Sequence, residues 1–280
     1  MPSRIRSWTL LYRLEKLENL KSLRNVHGTL MPAGLLHFCN MTTETLVKGI
    51  VLACFPQGEY GKRIVLLSDM LGKITVFASG AAKQTSKIIG AVRPMTAAEF
   101  SLGEGRGAKS IHGVNVIDAF DEISMDPETA FYGMYFLELT DYFGTEGMAE
   151  EDAKRMLNLL FLALAALRRK ELSPELVRRM FELRMLVHEG LYTETAGTAV
   201  AAAEALWRYC IAAPLSKLFD RENMAACLSP GGSLQSAAAE PSTDISAFPG
   251  AEVSAEFSDC VKHLMNREVP AKFRAASLLN

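Results

Sequence analysis

Basic side chains are concentrated in one stretch of a chain that is otherwise nearly neutral. The whole chain has a formal net charge of -2 at pH 7, but the segment from Thr45 to His112 holds nine Lys and Arg against four Asp and Glu. A local surplus of cations is what binding to a phosphate backbone requires. The candidate phosphate-binding residues are Lys62, Arg63, Lys73, Lys83, Lys87, Arg93 and Arg106.

Aromatic residues are interleaved with these cations, at Phe55, Tyr60 and Phe77. A groove that combines positive charge with aromatic faces binds single-stranded nucleic acid with little sequence preference. The alternative is that the lysines solvate a domain surface and the aromatic rings pack in its core. We expect Phe77 to be a core residue, whereas Tyr60 lies in a turn and should be exposed as a binding residue.

The residues that carry most enzyme chemistry do not cluster in the sequence. The five histidines are scattered, and the five cysteines are odd in number with no C-x-x-C pair, which argues against a disulfide framework and a zinc site. The glycines of the G-x-G-x-G run at 103–107 separate two predicted strands, so they indicate a hairpin turn and not a dinucleotide site. We therefore predict no catalytic residue, metal or cofactor, although folding could still assemble an unrecognised active site.

Five short apolar segments separated by glycines and turn residues predict five β-strands. A connector of helical composition at 80–89 follows the third strand. Five strands with a connector in that place predict an OB-fold barrel, although strand number alone also fits other small β-barrels. The predicted strands are 46–55, 63–68, 73–78, 95–102 and 110–120.

After Asp126 the hydrophobic period changes from 2 to 3.6, which predicts helices. Asp126-Pro127 and Ser173-Pro174 are helix starts, because each places a capping side chain before a proline at the first helical position. The fold class is thus α+β, with an OB-fold barrel at 41–122 followed by an all-α domain at 123–280. The predicted helices are 126–143, 150–170, 173–190, 199–218 and a fifth in or before 266–279.

Two segments are expected to lie outside the folded domains. Residues 1–40 are predicted to be a non-native or disordered extension, with Met41 as the native start. The stretch at 229–249 is rich in Ser, Ala and Pro and predicts a mobile loop. No apolar run is long enough to span a bilayer, so a soluble cytoplasmic protein that does not bind membranes is expected.

Several sequence segments resemble the bacterial RecO family of DNA repair proteins. The strongest is GEYGKRIVLL at 58–67, and the resemblance extends over nearly all of the chain after Met41. The other matching segments are GKI at 72–74, FASGA at 77–81, SK at 86–87, FELRML at 181–186 before GLY at 190–192, and FRAASLL at 273–279.

The resemblance implies a non-enzymatic mediator of homologous recombination that is associated with the nucleoid. It implies binding to single- and double-stranded DNA, annealing of complementary strands, and RecA loading together with RecR and the single-stranded-DNA-binding protein. We expect the acidic C-terminal tail of that last protein to pair with Arg178, Arg179 and Arg184, unless these are ordinary solvated helix charges. The alternative is an OB-like adaptor that binds protein without significant DNA affinity.

One feature departs from the family pattern. Many RecO proteins carry a four-cysteine zinc site after the Gly-Tyr segment, but 191–203 of this chain contains no cysteine. We therefore expect packing around Trp207 and Tyr209 to stabilise this region in place of zinc.

Overall fold

The computed structural model describes residues 44–79, 88, 90–104, 108–228 and 248–279. These residues fall within one compact unit, Thr42–Asn280. The predicted N-terminal extension, almost all of the 80–89 connector and most of the predicted 229–249 loop lie outside the described residues.

The N-terminal half is a closed five-stranded barrel, which confirms the predicted OB fold. Its strands are in the order β1-β2-β3-β5-β4, and every neighbouring pair is antiparallel except the short parallel pairing of β3 with β5. Gly103 and Glu104 belong to β4, so the predicted glycine turn begins later than the sequence indicated. The strands are β1 (Thr45–Gln57), β2 (Gly61–Ser68), β3 (Gly72–Ala78), β4 (Ala97–Glu104) and β5 (Lys109–Asp118).

Alternation of side chains along the strands fills the barrel. Val47 and Val51 of β1, Ile64 and Leu66 of β2, and Phe100 of β4 point into one apolar cluster. The middle of β1 is apolar at every position because its other face is also covered: Ile50 and Leu52 are buried outside that cluster. Helices of the C-terminal half pack on this part of the barrel.

The hairpin between β2 and β3 joins the barrel to the helical half. Gly72 has φ +67°, and a Cβ there would lie 2.6 Å from the side chain of Met148, so both conformation and space favour glycine. Next to it, the amide of Lys73 donates to the carbonyl of Thr145 at 3.1 Å. This contact fixes one end of β3 against the helices.

The C-terminal half is helical, as predicted, and both predicted caps are present. Asp126 accepts a hydrogen bond from the Glu128 amide and Ser173 accepts one from the Leu176 amide. The helices are α1 (Asp121–Met125), α2 (Pro127–Phe143), α3 (Glu150–Arg169), α4 (Pro174–His188), α5 (Ala201–Ala212), α6 (Leu215–Leu218), α7 (Arg221–Leu228) and α8 (Ala251–Glu268), followed by a 3-10 turn at Ala275–Leu278.

The helix predictions need two corrections. The predicted helix at 199–218 is two helices, because Ala213 is extended and Pro214 starts a new turn. Helices α1 and α7 were not predicted, since they are short and carry little periodic signal. The last long helix, α8, agrees with the prediction that 266–279 lies in or after a fifth helix, since 266–268 lie in α8 and the rest of that segment follows it.

Trp207 packs at the centre of the region that follows 191–203, as the sequence predicted. Its side chain is buried, its indole N–H donates to the Thr193 carbonyl at 2.9 Å, and its ring meets Phe257 edge-on. Tyr209 donates its hydroxyl hydrogen to the carbonyl of Lys217. These contacts tie α5 to the preceding loop, to α8 and to α6.

Candidate nucleic-acid interface

Arg63 lies at the centre of a row of outward-facing residues on three strands. It has Phe55 of β1 as its register partner on one side and Phe77 of β3 on the other. The guanidinium of Arg63 lies over the Phe55 ring, 4.6 Å from its centroid, and 42% of Phe55 remains exposed. Phe77 is half-buried and does not belong to the barrel core, contrary to expectation. We call Phe55, Arg63 and Phe77 the aromatic row.

Lys62 and Tyr60 flank the aromatic row. Lys62 lies near the start of β2, at a position that faces the barrel interior. It is close to the thiol of Cys54. Burial raises the pKa of that thiol, and the positive charge of Lys62 offsets part of the rise. Tyr60 is 48% exposed in the β1–β2 turn, as predicted, and a hydrogen bond to Glu59 raises its pKa.

Lys73 and Arg93 lie elsewhere, beside the helical half. Lys73 pairs with Leu67, five residues along β2 from Lys62, which corresponds to roughly 16 Å. Its ammonium group donates to the carbonyl of Asp141 at 2.7 Å and lies 3.3 Å from that residue's carboxylate. Arg93 bonds the carboxylate of Asp121 at 2.7 Å.

The expectation of one continuous basic face is therefore corrected for the cations that the structure describes. They form two groups because the strands are long enough to separate their ends. Within the described ranges, Lys62 and Arg63 form no ion pair, whereas Lys73 and Arg93 are each bound to a carboxylate. Lys83, Lys87 and Arg106 lie outside the described residues.

Arg178 and Arg179 are inside the helical half and not on its surface. Both guanidinium groups contact the carboxylate of Glu182, at 2.9 and 2.7 Å, and Arg179 also binds Glu175 at 2.7 Å. Arg179 is 3% exposed and Glu182 only 1%. The tyrosine hydroxyl of Tyr135 completes the network by donating to Glu182 at 2.6 Å. These two arginines are therefore not presented to a partner's acidic tail, contrary to that expectation.

Burial and neighbouring charges shift the pKa of the buried arginine Arg178 in opposite directions. Desolvation, the largest single influence, lowers the pKa of Arg178, but the combined effects of Glu182, Tyr135 and Glu175 outweigh it, so this pKa ends above its ordinary value. Desolvation, reinforced by Glu182, raises the pKa of Tyr135. At Tyr132, burial and Glu175 raise the pKa to about 12. Both tyrosines therefore stay protonated at neutral pH and act as hydrogen-bond donors.

Arg184 lines a pocket of about 280 Å³. Its guanidinium donates to the carbonyls of Cys210, Ile211 and Ala213 at the end of α5, where the helix dipole favours a cation. Desolvation lowers the pKa of Arg184, as it does for His188. The pocket thus combines positive groups with apolar walls, and its lining residues are Arg155, Leu159, Arg184, Val187, His188 and Leu215.

A hydrogen-bonded cluster on β4 and β5 was not found from the sequence. His112 contacts Glu44 at 3.0 Å through one ring nitrogen and Ser110 at 3.2 Å through the other. The other Glu44 oxygen accepts from Ser101 at 2.7 Å, and these two hydrogen bonds, first that of Ser101, lower the pKa of Glu44. The i, i+2 spacing of Ser110 and His112 was a usable signal, since alternate strand residues share a face. Nothing local pointed to Glu44.

No three His, Cys, Asp or Glu side chains of the described ranges are grouped so that they could hold a metal ion. No helix of that part of the chain combines the length and the apolar character needed to cross a membrane.

Comparison with known proteins gives one family. The family described as "Recombination protein O N terminal" matches residues 41–120, which is the barrel. Proteins named "DNA repair protein RecO" are similar over a longer region: that of Caldicellulosiruptor bescii is 32% identical over 148 residues, and that of Exiguobacterium sibiricum 31% over 156 residues. The protein of the same name from Alkaliphilus metalliredigens is 28% identical over 144 residues.

These similarities cover part of each protein. They include 52%, 56% and 51% of this chain and 59%, 61% and 57% of the respective relatives. The chain thus spans somewhat more than half the length of the relatives that it matches.

Proposed function

We propose that the protein is a non-enzymatic mediator of DNA repair and homologous recombination, because its barrel matches the family described as "Recombination protein O N terminal" and the chain is similar to proteins named "DNA repair protein RecO". It binds single- and double-stranded DNA, anneals complementary strands, and assists RecA loading together with RecR. This activity places it with the nucleoid in the cytoplasm.

The observation that carries the DNA-binding proposal is the outward-facing aromatic row with Arg63 at its centre, next to Lys62 at the start of β2. Positive charge that is not used by a neighbouring carboxylate can replace the counterions of a phosphate backbone, and their release drives association. Exposed aromatic surface beside that charge suits a nucleic acid better than it suits a purely electrostatic protein contact. Lys83, Lys87, Arg106 and Tyr60 are the candidates to extend the surface.

Annealing follows from the same electrostatics. Two complementary strands repel each other through their phosphates, and a protein that screens both backbones lowers the cost of their approach. The helical half serves as a frame for protein partners. Its pocket at Arg184 and Arg155 suits the acidic C-terminal tail of the single-stranded-DNA-binding protein, because cations beside apolar walls bind carboxylates and apolar side chains together.

The second candidate function is a protein-interaction adaptor without significant DNA affinity. The exposed ring of Phe55 favours it, since apolar surface is also typical of protein interfaces. Salt distinguishes the two functions. Binding through several phosphates weakens steeply as salt is added, whereas an apolar protein interface responds little.

The test is a charge reversal at the barrel in the full chain. We expect Lys62→Glu/Arg63→Glu to reduce affinity for a labelled single-stranded oligonucleotide by more than about tenfold at low salt, with an unchanged circular dichroism spectrum. The matched control is Lys262→Glu/Arg267→Glu on α8, which changes the net charge equally at exposed positions. Equal losses in both variants, or none in either, would refute this DNA-binding surface.

A further inference from the structure

We propose that Arg63 recognises nucleic acid through the plane of its guanidinium, on which a nucleobase of a single strand stacks, and not mainly through its charge. This inference rests on the proposed function and goes beyond it, because it names the base, and not the phosphate, as the ligand of the aromatic row.

The first support is the position of Arg63. Its guanidinium carbon lies over the Phe55 ring, 4.6 Å from the centroid, and this contact restricts the rotamers of a long side chain before any ligand arrives. A flat group that is already held in place loses less conformational entropy when a second flat group stacks on it. The Phe55 ring therefore holds the guanidinium of Arg63 in place.

The second support is the aromatic surface on both sides of Arg63. Phe77 is the other register partner of Arg63, so an outward-facing aromatic residue lies on each side of the arginine. The exposed part of Phe55 leaves apolar ring surface in contact with water. A stacked base would remove that surface from water, whereas a phosphate group would not.

The third support is the contrast with three other cations of the barrel. Lys73, Arg93 and Lys109 each contact a carboxylate through their charged ends. Arg63 instead contacts an aromatic face, and within the described part of the chain no acid competes for it. A duplex keeps its bases stacked inside the helix, so this site favours single strands.

The experiment separates the plane of Arg63 from its charge. Arg63→Lys keeps the charge and removes the plane, and Phe55→Leu keeps an apolar side chain and removes the ring. The full-length variants are titrated by fluorescence anisotropy with two probes of about 15 nucleotides: an oligothymidylate and an abasic deoxyribose-phosphate chain of equal length. Lys62→Met serves as the matched control for a loss of charge alone.

If a base stacks on Arg63, the variants should lose different amounts of affinity for the two probes. Arg63→Lys should weaken binding of the oligothymidylate by about tenfold, in the range expected for one stacked base, and binding of the abasic chain by less than about twofold. Phe55→Leu should follow the same pattern. Lys62→Met should weaken both probes equally and reduce the dependence on salt.

Three results would overturn the inference. Equal losses of both probes in Arg63→Lys would mean that Arg63 acts as a charge. Equal wild-type affinity for the two probes would mean that no base is recognised, while the proposed DNA binding would stand. Absence of wild-type binding to either probe at low salt would remove the proposed function together with the inference.

Discussion

Two pairs of adjacent basic residues look alike in the sequence but differ in their environment: one pair lies at the surface of the barrel and the other is buried among helices. Lys62-Arg63 opens β2 at the barrel surface, beside exposed aromatic rings and without a carboxylate among the described residues. Arg178-Arg179 lies within α4 and is buried against Glu182. The first pair is available to a polyanion, whereas the second holds helices together.

The difference comes from the geometry of the two elements. On a helix, residues three or four apart are neighbours, so Glu175 and Glu182 sit beside the α4 arginines and neutralise them. On a strand, adjacent residues point to opposite faces, and the residues across the sheet are set by pairing with distant segments. A basic pair on a helix therefore has to be read together with the acids at those spacings.

Removal of the buried acid should have the largest effect on stability. Glu182→Ala leaves two buried guanidinium groups without their main counter-charge, and we expect the free energy of unfolding to fall by about 3–5 kcal/mol. Urea denaturation followed by circular dichroism measures this loss.

A multiple substitution sharpens that test. Arg178→Met/Arg179→Met/Glu182→Leu removes all three charges together, so it should cost less than Glu182→Ala alone. If the single variant were as stable as the wild type, the network would not be the buried ion cluster described above.

The hydroxyl of Tyr135 should contribute less than the carboxylate it binds. Tyr135→Phe keeps the ring and removes a buried hydrogen bond to Glu182, and we expect a loss of about 1.5–3 kcal/mol because the acceptor is charged. Thermal or urea unfolding measures it. The partly exposed pair of Tyr132 and Glu175 gives the control, since Tyr132→Phe should cost less; the reverse order would contradict the assigned burial.

Substitutions at the two ends of the β2–β3 hairpin should have different effects, one on stability and the other on DNA binding. Lys73→Met removes an ion pair and a hydrogen bond to Asp141 at the junction with α2, and we expect a cost of about 1 kcal/mol with unchanged affinity for an oligonucleotide. Lys62→Met should do the opposite, with unchanged stability and weaker binding. Weaker binding in Lys73→Met would instead extend the DNA surface toward the helices.

The smallest expected effect is the pH response of the exposed cluster at Glu44. Because hydrogen bonds lower the folded-state pKa of Glu44 below 4.5, its stabilising contribution is complete above pH 4.5 and is lost as the pH falls through the folded-state value. The difference in urea midpoint between wild type and Glu44→Gln should therefore shrink on acidification. A difference that is constant from pH 7 to pH 3 would show that the carboxylate charge contributes nothing.

The sequence predicted much of the fold because the relevant signals are local. Alternating apolar residues and turn residues predicted all five strands, and Asp126-Pro127 and Ser173-Pro174 predicted two helix starts within a residue. The failures are also physical. Helices α1 and α7 are too short to show a period, and Pro214 was not recognised as the break between α5 and α6.

The candidate site was less predictable because a count of charged residues in one segment does not show which cations are paired with carboxylates from another segment. Lys73 and Arg93 contribute to the local surplus, yet Asp141 and Asp121 come from the helical half, beyond the segment in which the charge was counted. The position of Phe77 was misjudged because an apolar residue near a strand end fits either face. Only the register of β1, β2 and β3 brings it beside Arg63.

Composition and periodicity by themselves determined a basic β-barrel followed by helices, since each strand and helix start depends on residues that are neighbours in the chain. Tertiary structure alone decided which cations remain available, because ion pairs, burial and cross-strand neighbours depend on contacts between segments far apart in sequence. The guanidinium of Arg63 is accessible for that reason, and those of Arg178 and Arg179 are not.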